Sequence, residues 1–283
     1  MEAEELVSQY KEKCFKSYEN FEPQSHREMF HFTSFDNLKK ILSSKSLLHT
    51  KSNELNDSLE IKYSLQYLSD ILDKVGFDSS NDFLKQMIER YFEGIEIYVT
   101  CFSKKVDDLN LWRLYGDNGL GVSLGFSQNL PFQNETNMKI PNIPILTHVI
   151  YGEEVFKKKI SKLAKRALTI INSQPFKSSS HQEEFKLELV KSLSLAVIMN
   201  TLNTKHKHFS IEEEIRSILL QGKYAWCSYN SNGWYFDESE FITIALRSIT
   251  LGPAHNKVRS TINLEALLAS NGFDSNNIEI KQF

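Results

Sequence analysis

Cysteine is scarce in this chain. Cys14, Cys101 and Cys227 are the only three in 283 residues, and no two of them form a C-x-x-C pair. An odd count without metal-type spacing excludes a disulfide scaffold and fits a reducing compartment. A basic excess is lacking too. The chain has 33 Lys+Arg against 36 Asp+Glu, a net charge of −3 and a pI of about 6.3, which argues against holding nucleic acid by overall charge. No apolar run approaches the roughly 18 residues that span a bilayer. The opening Met1-Glu2-Ala3-Glu4-Glu5 is acidic, unlike a signal peptide. These absences predict a cytoplasmic protein with no membrane partner. Familiar catalytic signatures are missing as well: there is no P-loop, H-E-x-x-H or G-x-S-x-G. The run Gly119–Gly125 misses the dinucleotide G-x-G-x-x-G spacing by one and enters a strand rather than a helix. No motif calls for a metal, and none is expected.

What is present is a chain rich enough in apolar residues, 41% hydrophobic and 12% aromatic, to bury a sizeable core. We read residues 1–283 as a single domain. Leu6, Tyr10, Cys14 and Phe15 mark an N-terminal helix. His31-Phe32 ends a strand, and Ser34 or Asp36 caps the helix holding Leu38, Ile41 and Leu42. Leu47-Leu48 reads as a short strand. Ser58 caps a helix with Leu65, Leu68, Ile71, Leu72 and Val75, and a further helix holds Phe83, Met87, Ile88 and Tyr91. Ile95–Cys101 is a strand. Gly121–Phe126 is expected beside it after a turn at Gly116–Gly119. Leu146–Tyr151 is another strand. Residues 153–202 carry apolar positions at three- and four-residue steps, which predicts an αα-hairpin insert turning at Ser173–Ser180. Strands return near Ile215–Leu220 and Phe241–Leu251. A helix over Thr261–Ala269 stops at Asn271-Gly272, and Ile278–Ile280 closes the sheet. Strands and helices without regular βαβ alternation indicate an α+β fold.

Five polar-aromatic clusters stand at element ends: His31–Ser34, Leu55–Asp57, Cys101–Ser103, Leu111–Tyr115 and Glu212–Arg216. His31, between Phe30 and Phe32, is either a satisfied core histidine or a donor–acceptor for a ribose hydroxyl. Ser103 ends its strand or orients a catalytic carboxylate. Trp112 and Tyr115 share a helix face, as core or as a stacking platform. An extended Glu212–Arg216 puts Glu212, Glu214 and Arg216 on one face, where burial demands mutual pairing. A helix opened by Ser210 would instead leave the glutamates at its N-terminal dipole. Lys157, Lys158, Lys159, Lys162, Lys165 and Arg166 give one helix a basic face, a solvated surface or an attractor of phosphates. His206-Lys207-His208 reads as a solvated loop rather than a metal-binding pair.

In the order H-[FY]-T-S, L-N-D, C-F-S, L-W-x-x-Y-G, a carboxylate pair followed by Arg, and L-G-P, the chain resembles a large bacterial family of domains of unknown function, over roughly residues 29–283. The succession of His, Ser or Tyr, and E-x-E also resembles the ADP-ribosyltransferase superfamily. That resemblance implies a mixed, split β-sheet core flanked by helices, and NAD as substrate. It implies Glu214 as catalytic carboxylate with Glu212 as helper. His31 would hold the nicotinamide ribose, Tyr115 would stack on nicotinamide, and Thr33, Ser103, Trp112 and Arg216 would be further cofactor-binding residues. An unknown protein or nucleic-acid acceptor would receive the ADP-ribosyl group, in toxin or anti-phage biology. The chain departs from the superfamily at Phe102, which interrupts the serine cluster, and in the 153–202 helices. The competing reading is a non-enzymatic nucleotide- or nucleic-acid-binding protein that uses Trp112 and Tyr115 for stacking and the basic helix for phosphates, and a third is a structural interaction module built on the helical insert.

Overall fold

β-Branched and aromatic runs pair into a nine-stranded, mostly antiparallel sheet in the computed structural model, with helices covering both faces. The structure describes residues 3–18, 27–52, 63–77, 86, 90, 95–128, 145–173, 179–222, 234–235, 245–255 and 257–283. In chain order the elements begin with α1 (Ala3–Tyr18), β1 (Glu28–Thr33), α2 (Phe35–Ser44), β2 (Leu48–Lys51) and α3 (Leu68–Val75). They continue with β3 (Ile95–Ser103), α4 (Leu109–Leu114), β4 (Val122–Ser127), β5 (Ile145–His148) and β6 (Ile150–Tyr151). Next come α5 (Glu153–Ser173), α6 (Ser179–Leu202), β7 (Thr204–Lys205), β8 (Glu214–Gly222) and β9 (Trp234–Tyr235). The last are β10 (Leu246–Leu251), α7 (Lys257–Ser270) and β11 (Glu279–Gln282). Phe83, Met87, Ile88 and Tyr91 of an expected helix, the Ser58 cap, the Leu55–Asp57 cluster and Cys227 lie outside the described residues.

Local chemistry sets the element ends. Ser34 caps α2, its Oγ accepting from the Asn37 amide at 3.2 Å, as its position before the apolar stripe predicts. Asp108 caps α4 in the same way through the Asn110 amide at 2.8 Å. Gly272, with φ +76°, follows the end of α7, and the next amide, of Phe273, reaches back to the Leu268 carbonyl. Helices α5 and α6 occupy the 153–202 segment as predicted.

The sheet has a seam. β1 pairs with β4 along six positions but with β3 only at Phe30↔Ser103. On one side of the seam lie β11, β10, β4 and β1. On the other lie β3, β2, β9, β8 and β5. β10 and β11 are parallel, which makes the sheet mixed. One sheet face packs Met29, Leu124, Phe126 and Ile249 against Leu38 and Leu42 of α2 and Leu264 and Leu268 of α7. On the opposite face Ile97, Val99 and Ile218 meet α1, α3, α5 and α6. A smaller cluster of Phe30, Phe32, Leu111 and Trp112 covers that face at β1. Among the described residues no helix is long and apolar enough to cross a membrane.

Two sequence expectations are corrected. β4 is not the neighbour of β3, because β1 lies between them. The turn at Gly116–Gly119 follows helix α4 and so imposes no hairpin on the flanking strands. The segment Leu146–Tyr151 is not one strand. It breaks at the buried Val149, β5 pairing with β8 and β6 with β7 in a separate two-stranded sheet.

The L-W-x-x-Y-G and L-G-P motifs meet in one tight knot. The Gly121 amide bonds the Gly116 carbonyl at 2.9 Å, and the Gly252 amide bonds the Gly121 carbonyl at 3.1 Å. A Cβ on Gly252 would stand 2.3 Å from the Gly119 carbonyl oxygen and 3.0 Å from the Trp112 ring. Gly252→Ala is therefore expected to lower unfolding free energy by about 1–3 kcal/mol, the usual range for overpacking. A urea titration with an unchanged m-value would show it.

Candidate functional site

A cavity of about 350 Å³ opens on the sheet face where β1, β3 and β8 end together. Its walls are largely aromatic and aliphatic, with Phe30, Phe32, Phe102, Leu111, Leu114 and Phe209. Its polar lining comprises His31, Ser103, Tyr115, Lys205, Glu212, Glu214 and Arg216. The predicted residues His31, Ser103, Tyr115, Glu212, Glu214 and Arg216 thus come together from segments up to nearly two hundred positions apart.

Register explains the convergence. Ser103 lies opposite Glu214, and Cys101 opposite Arg216, on adjacent antiparallel strands. Side chains at alternate positions of β8 share a face, so Glu214 and Arg216 project together. Glu212 joins them by a different route from either sequence alternative. The segment is neither a continuous strand nor a helix: a 3-10 turn over Lys207–Glu212 ends at Glu213, whose φ of 43° and ψ of 50° are left-handed. That kink turns Glu213 outward, its carboxylate 3.6 Å from Lys105 Nζ, while Glu212 and Glu214 both enter the cavity.

The floor is a buried ionic quartet. Arg216 Nε donates to Glu214 Oε1 at 2.8 Å and Nη2 to Oε2 at 3.2 Å, while Nη1 donates to the Leu202 carbonyl at 2.7 Å. Lys205 Nζ donates to Glu212 Oε2 at 2.8 Å and to Glu214 Oε2 at 3.4 Å. It also stands 4.5 Å from the centre of the Phe209 ring. The Tyr115 hydroxyl donates to Glu212 Oε1 at 3.0 Å. All four charged side chains are at most 6% exposed. Burial by itself would raise the Glu214 carboxyl, but the charges and hydrogen bonds of Arg216 and the charge of Lys205 outweigh it and hold the group at about 2. Burial and then the nearby Glu212 raise the Tyr115 phenol, which stays a donor. Burial and then Glu214 push the Cys101 thiol well up, so it is no nucleophile.

His31 bridges the seam. Its Nδ1 lies 2.9 Å from the Cys101 carbonyl, which can only accept, so Nδ1 carries the proton and Nε2 is an acceptor. Burial lowers its pKa and keeps the ring neutral. Ser103 bonds the main chain rather than a carboxylate: its Oγ donates to the Glu212 carbonyl at 2.6 Å and accepts from the Lys105 amide at 3.0 Å. It positions Glu212 through the backbone.

Thr33 and Trp112 do not line the cavity. Thr33 is buried opposite Val122. Trp112 is 1% exposed and meets Phe32 and Phe283 edge-on, with ring centres 4.9 and 6.1 Å away. A ring enclosed in this way has no face for a base, so of the two aromatic positions only Tyr115 reaches the site.

Sequence reasoning missed Lys205 and Tyr151. They are brought together by the two-residue parallel pair of β6 and β7. The Tyr151 hydroxyl accepts from the Glu214 amide at 2.8 Å. A pairing this short carries no hydropathy pattern. The only signal was a lysine three residues after the end of helix α6. The neighbouring His206 and His208 rings meet edge-to-face, with centres 4.3 Å apart.

Residues 111–217 match the model of a family described as Protein of unknown function (DUF2971). The matched span contains the last four residues of α4, the α5–α6 pair, Lys205 and the carboxylate cluster. No curated protein and no solved structure matches the chain.

Two outcomes follow from the quartet. Lys205→Met leaves two carboxylates buried against one guanidinium and is expected to cost about 3–5 kcal/mol. Adding Glu212→Gln, which restores neutrality, should recover part of that loss in the same chemical denaturation experiment. The second outcome concerns acid. The Glu214 carboxyl lies below its ordinary 4.5, so its contribution is complete above that value and fades as pH falls toward about 2. Wild-type stability should therefore drop between about pH 5 and about pH 3 more steeply than that of Glu214→Gln, as read by urea midpoints.

Proposed function

We propose that the cavity cleaves the nicotinamide–ribose bond of NAD and transfers ADP-ribose to a macromolecular acceptor, in the manner of the ADP-ribosyltransferase superfamily. The observation that carries this reading is the meeting of His31, Ser103, Tyr115 and the Glu212/Glu214 pair in one concave site across the adjacent strands β1, β3 and β8. As the C–N bond breaks, its electron pair leaves with nicotinamide and the ribose gains oxocarbenium character. A nucleophile on the acceptor then bonds to the ribose carbon and releases its proton to solvent. Glu214, ionised far below neutrality, supplies negative charge to the cationic ribose and serves as no proton acceptor near pH 7. The His31 acceptor nitrogen suits a ribose hydroxyl, and the partly exposed Tyr115 ring, 42% accessible, suits stacking on an aromatic ring.

A second reading draws on the floor itself. Lys205 and Arg216 balance both carboxylates, an arrangement equally suited to binding a nucleotide without cleaving it.

Purified protein with NAD separates the two. The enzyme reading expects nicotinamide release, reduced about 10²-fold or more by Glu214→Gln, roughly 2.7 kcal/mol. NAD affinity should change less, because the stabilised charge develops in the transition state. Melting of the same variant identifies any share due to lost folding. Binding without nicotinamide release would favour the second reading, and neither binding nor release would remove both.

A further inference from the structure

We infer that the exposed face of α5 is a docking surface for the phosphate backbone of a single nucleic-acid strand. Six basic residues lie between positions 157 and 166, and the structure divides them. Lys157 is committed to Glu153 and Glu154 at 3.7 and 3.0 Å and stands over the Tyr67 ring. Lys159 donates to the Ser17 carbonyl at 2.6 Å. The other four, Lys158, Lys162, Lys165 and Arg166, are exposed, and their side chains make no hydrogen bond or ion pair among the described residues. Their i, i+4, i+7, i+8 spacing puts them on one helix face. Lys158, Lys162 and Arg166 advance by about 6 Å per step at the helical rise. That interval is comparable to the distance between successive phosphates along one strand.

The field here is local. No acidic residue occurs between Glu154 and Glu183, although the whole chain carries −3. The rest of the helix is occupied by packing: Phe156, Ile160, Leu163, Ala164, Ala167 and Ile170 are buried. An apolar stripe spent in this way leaves nothing to insert into a bilayer, which distinguishes α5 from an interfacial membrane helix. A row of unpaired cations without an apolar edge fits a regular polyanion whose contacts are sequence-independent. The helix begins two residues after Tyr151, which holds the Glu214 amide, so a strand tracked along α5 has one end near the cavity. The inference does not depend on what the cavity binds.

The test is fluorescence anisotropy with a labelled oligouridylate of about twelve nucleotides, a length within the site sizes of single-strand binders. Binding is expected at 50 mM salt and should weaken roughly 50-fold at 200 mM, the fall for about four phosphate contacts on a single strand. The variant K158E/K162E/K165E/R166E should lose this binding with its melting temperature unchanged, since none of the four side chains is packed. Absence of binding at low salt, binding that is insensitive to salt, or binding retained by the variant would each overturn the proposal. Equal affinity for polyglutamate, or binding to phosphatidylserine vesicles but not to the oligonucleotide, would also overturn it.

Discussion

Lys205, Glu212, Glu214 and Arg216 lie buried side by side at the cavity floor, and each charge is tolerable there only because the other three are present. An isolated ion moved out of water into such a site costs several kcal/mol, which paired partners and full hydrogen bonding must offset. The structure meets that demand from separate directions. β8 brings Glu214 and Arg216 on alternate positions. The left-handed Glu213 turns Glu212 inward. The short β6–β7 pair delivers Lys205 from one strand and Tyr151 from the other. The C-terminal end of α6 closes the arrangement with the Leu202 carbonyl on Arg216. The site is thus tied to the fold through backbone pairing as well as through side chains.

The seam in the sheet places a cavity above this floor. β1 and β3 share one paired position, and His31 spans the adjacent gap with a side-chain hydrogen bond to the Cys101 carbonyl. Two hydrophobic clusters flank the same sheet face, the helical layer of α1, α3, α5 and α6 and the smaller group around Trp112. Residues of the smaller group, Phe30, Phe32 and Leu111, also form the cavity wall. Apolar walls lower the local dielectric and so strengthen the charges beneath them. The same environment keeps Cys101 protonated and His31 neutral. Among the described residues, the ionised groups lining the cavity are therefore the quartet.

Trp112 shows how an aromatic motif can mislead. Trp112 and Tyr115 are three positions apart on a short helix and look equivalent in sequence. Packing separates them, because Phe32, Phe283 and the Gly252 backbone close around the indole while Tyr115 stays at the cavity. The glycines of L-W-x-x-Y-G and L-G-P have a related explanation. They allow backbone segments more than a hundred residues apart to touch, where any Cβ would collide. These motifs are steric as much as chemical.

Short-range physics made much of the fold legible in the sequence. The apolar stripes of α1, α2, α5 and α6, the Ser34 cap, the Asn271-Gly272 stop and the β-rich run at 95–101 each depend on neighbours within a few positions, and each appears where periodicity or capping predicts it. The grouping of His31, Ser103, Tyr115, Glu212, Glu214 and Arg216 was also readable, because polar residues at strand ends are costly to bury without partners. Tertiary structure alone decided the rest. Strand order is set by long-range pairing, so nothing local revealed that β1 would separate β3 from β4. Which of two aromatic rings faces a cavity depends on what packs behind it. Lys205 entered the site through a two-residue strand whose partner lies 54 positions away. A contact that short leaves no periodic trace in the sequence, and its position is fixed only by the charges it must neutralise.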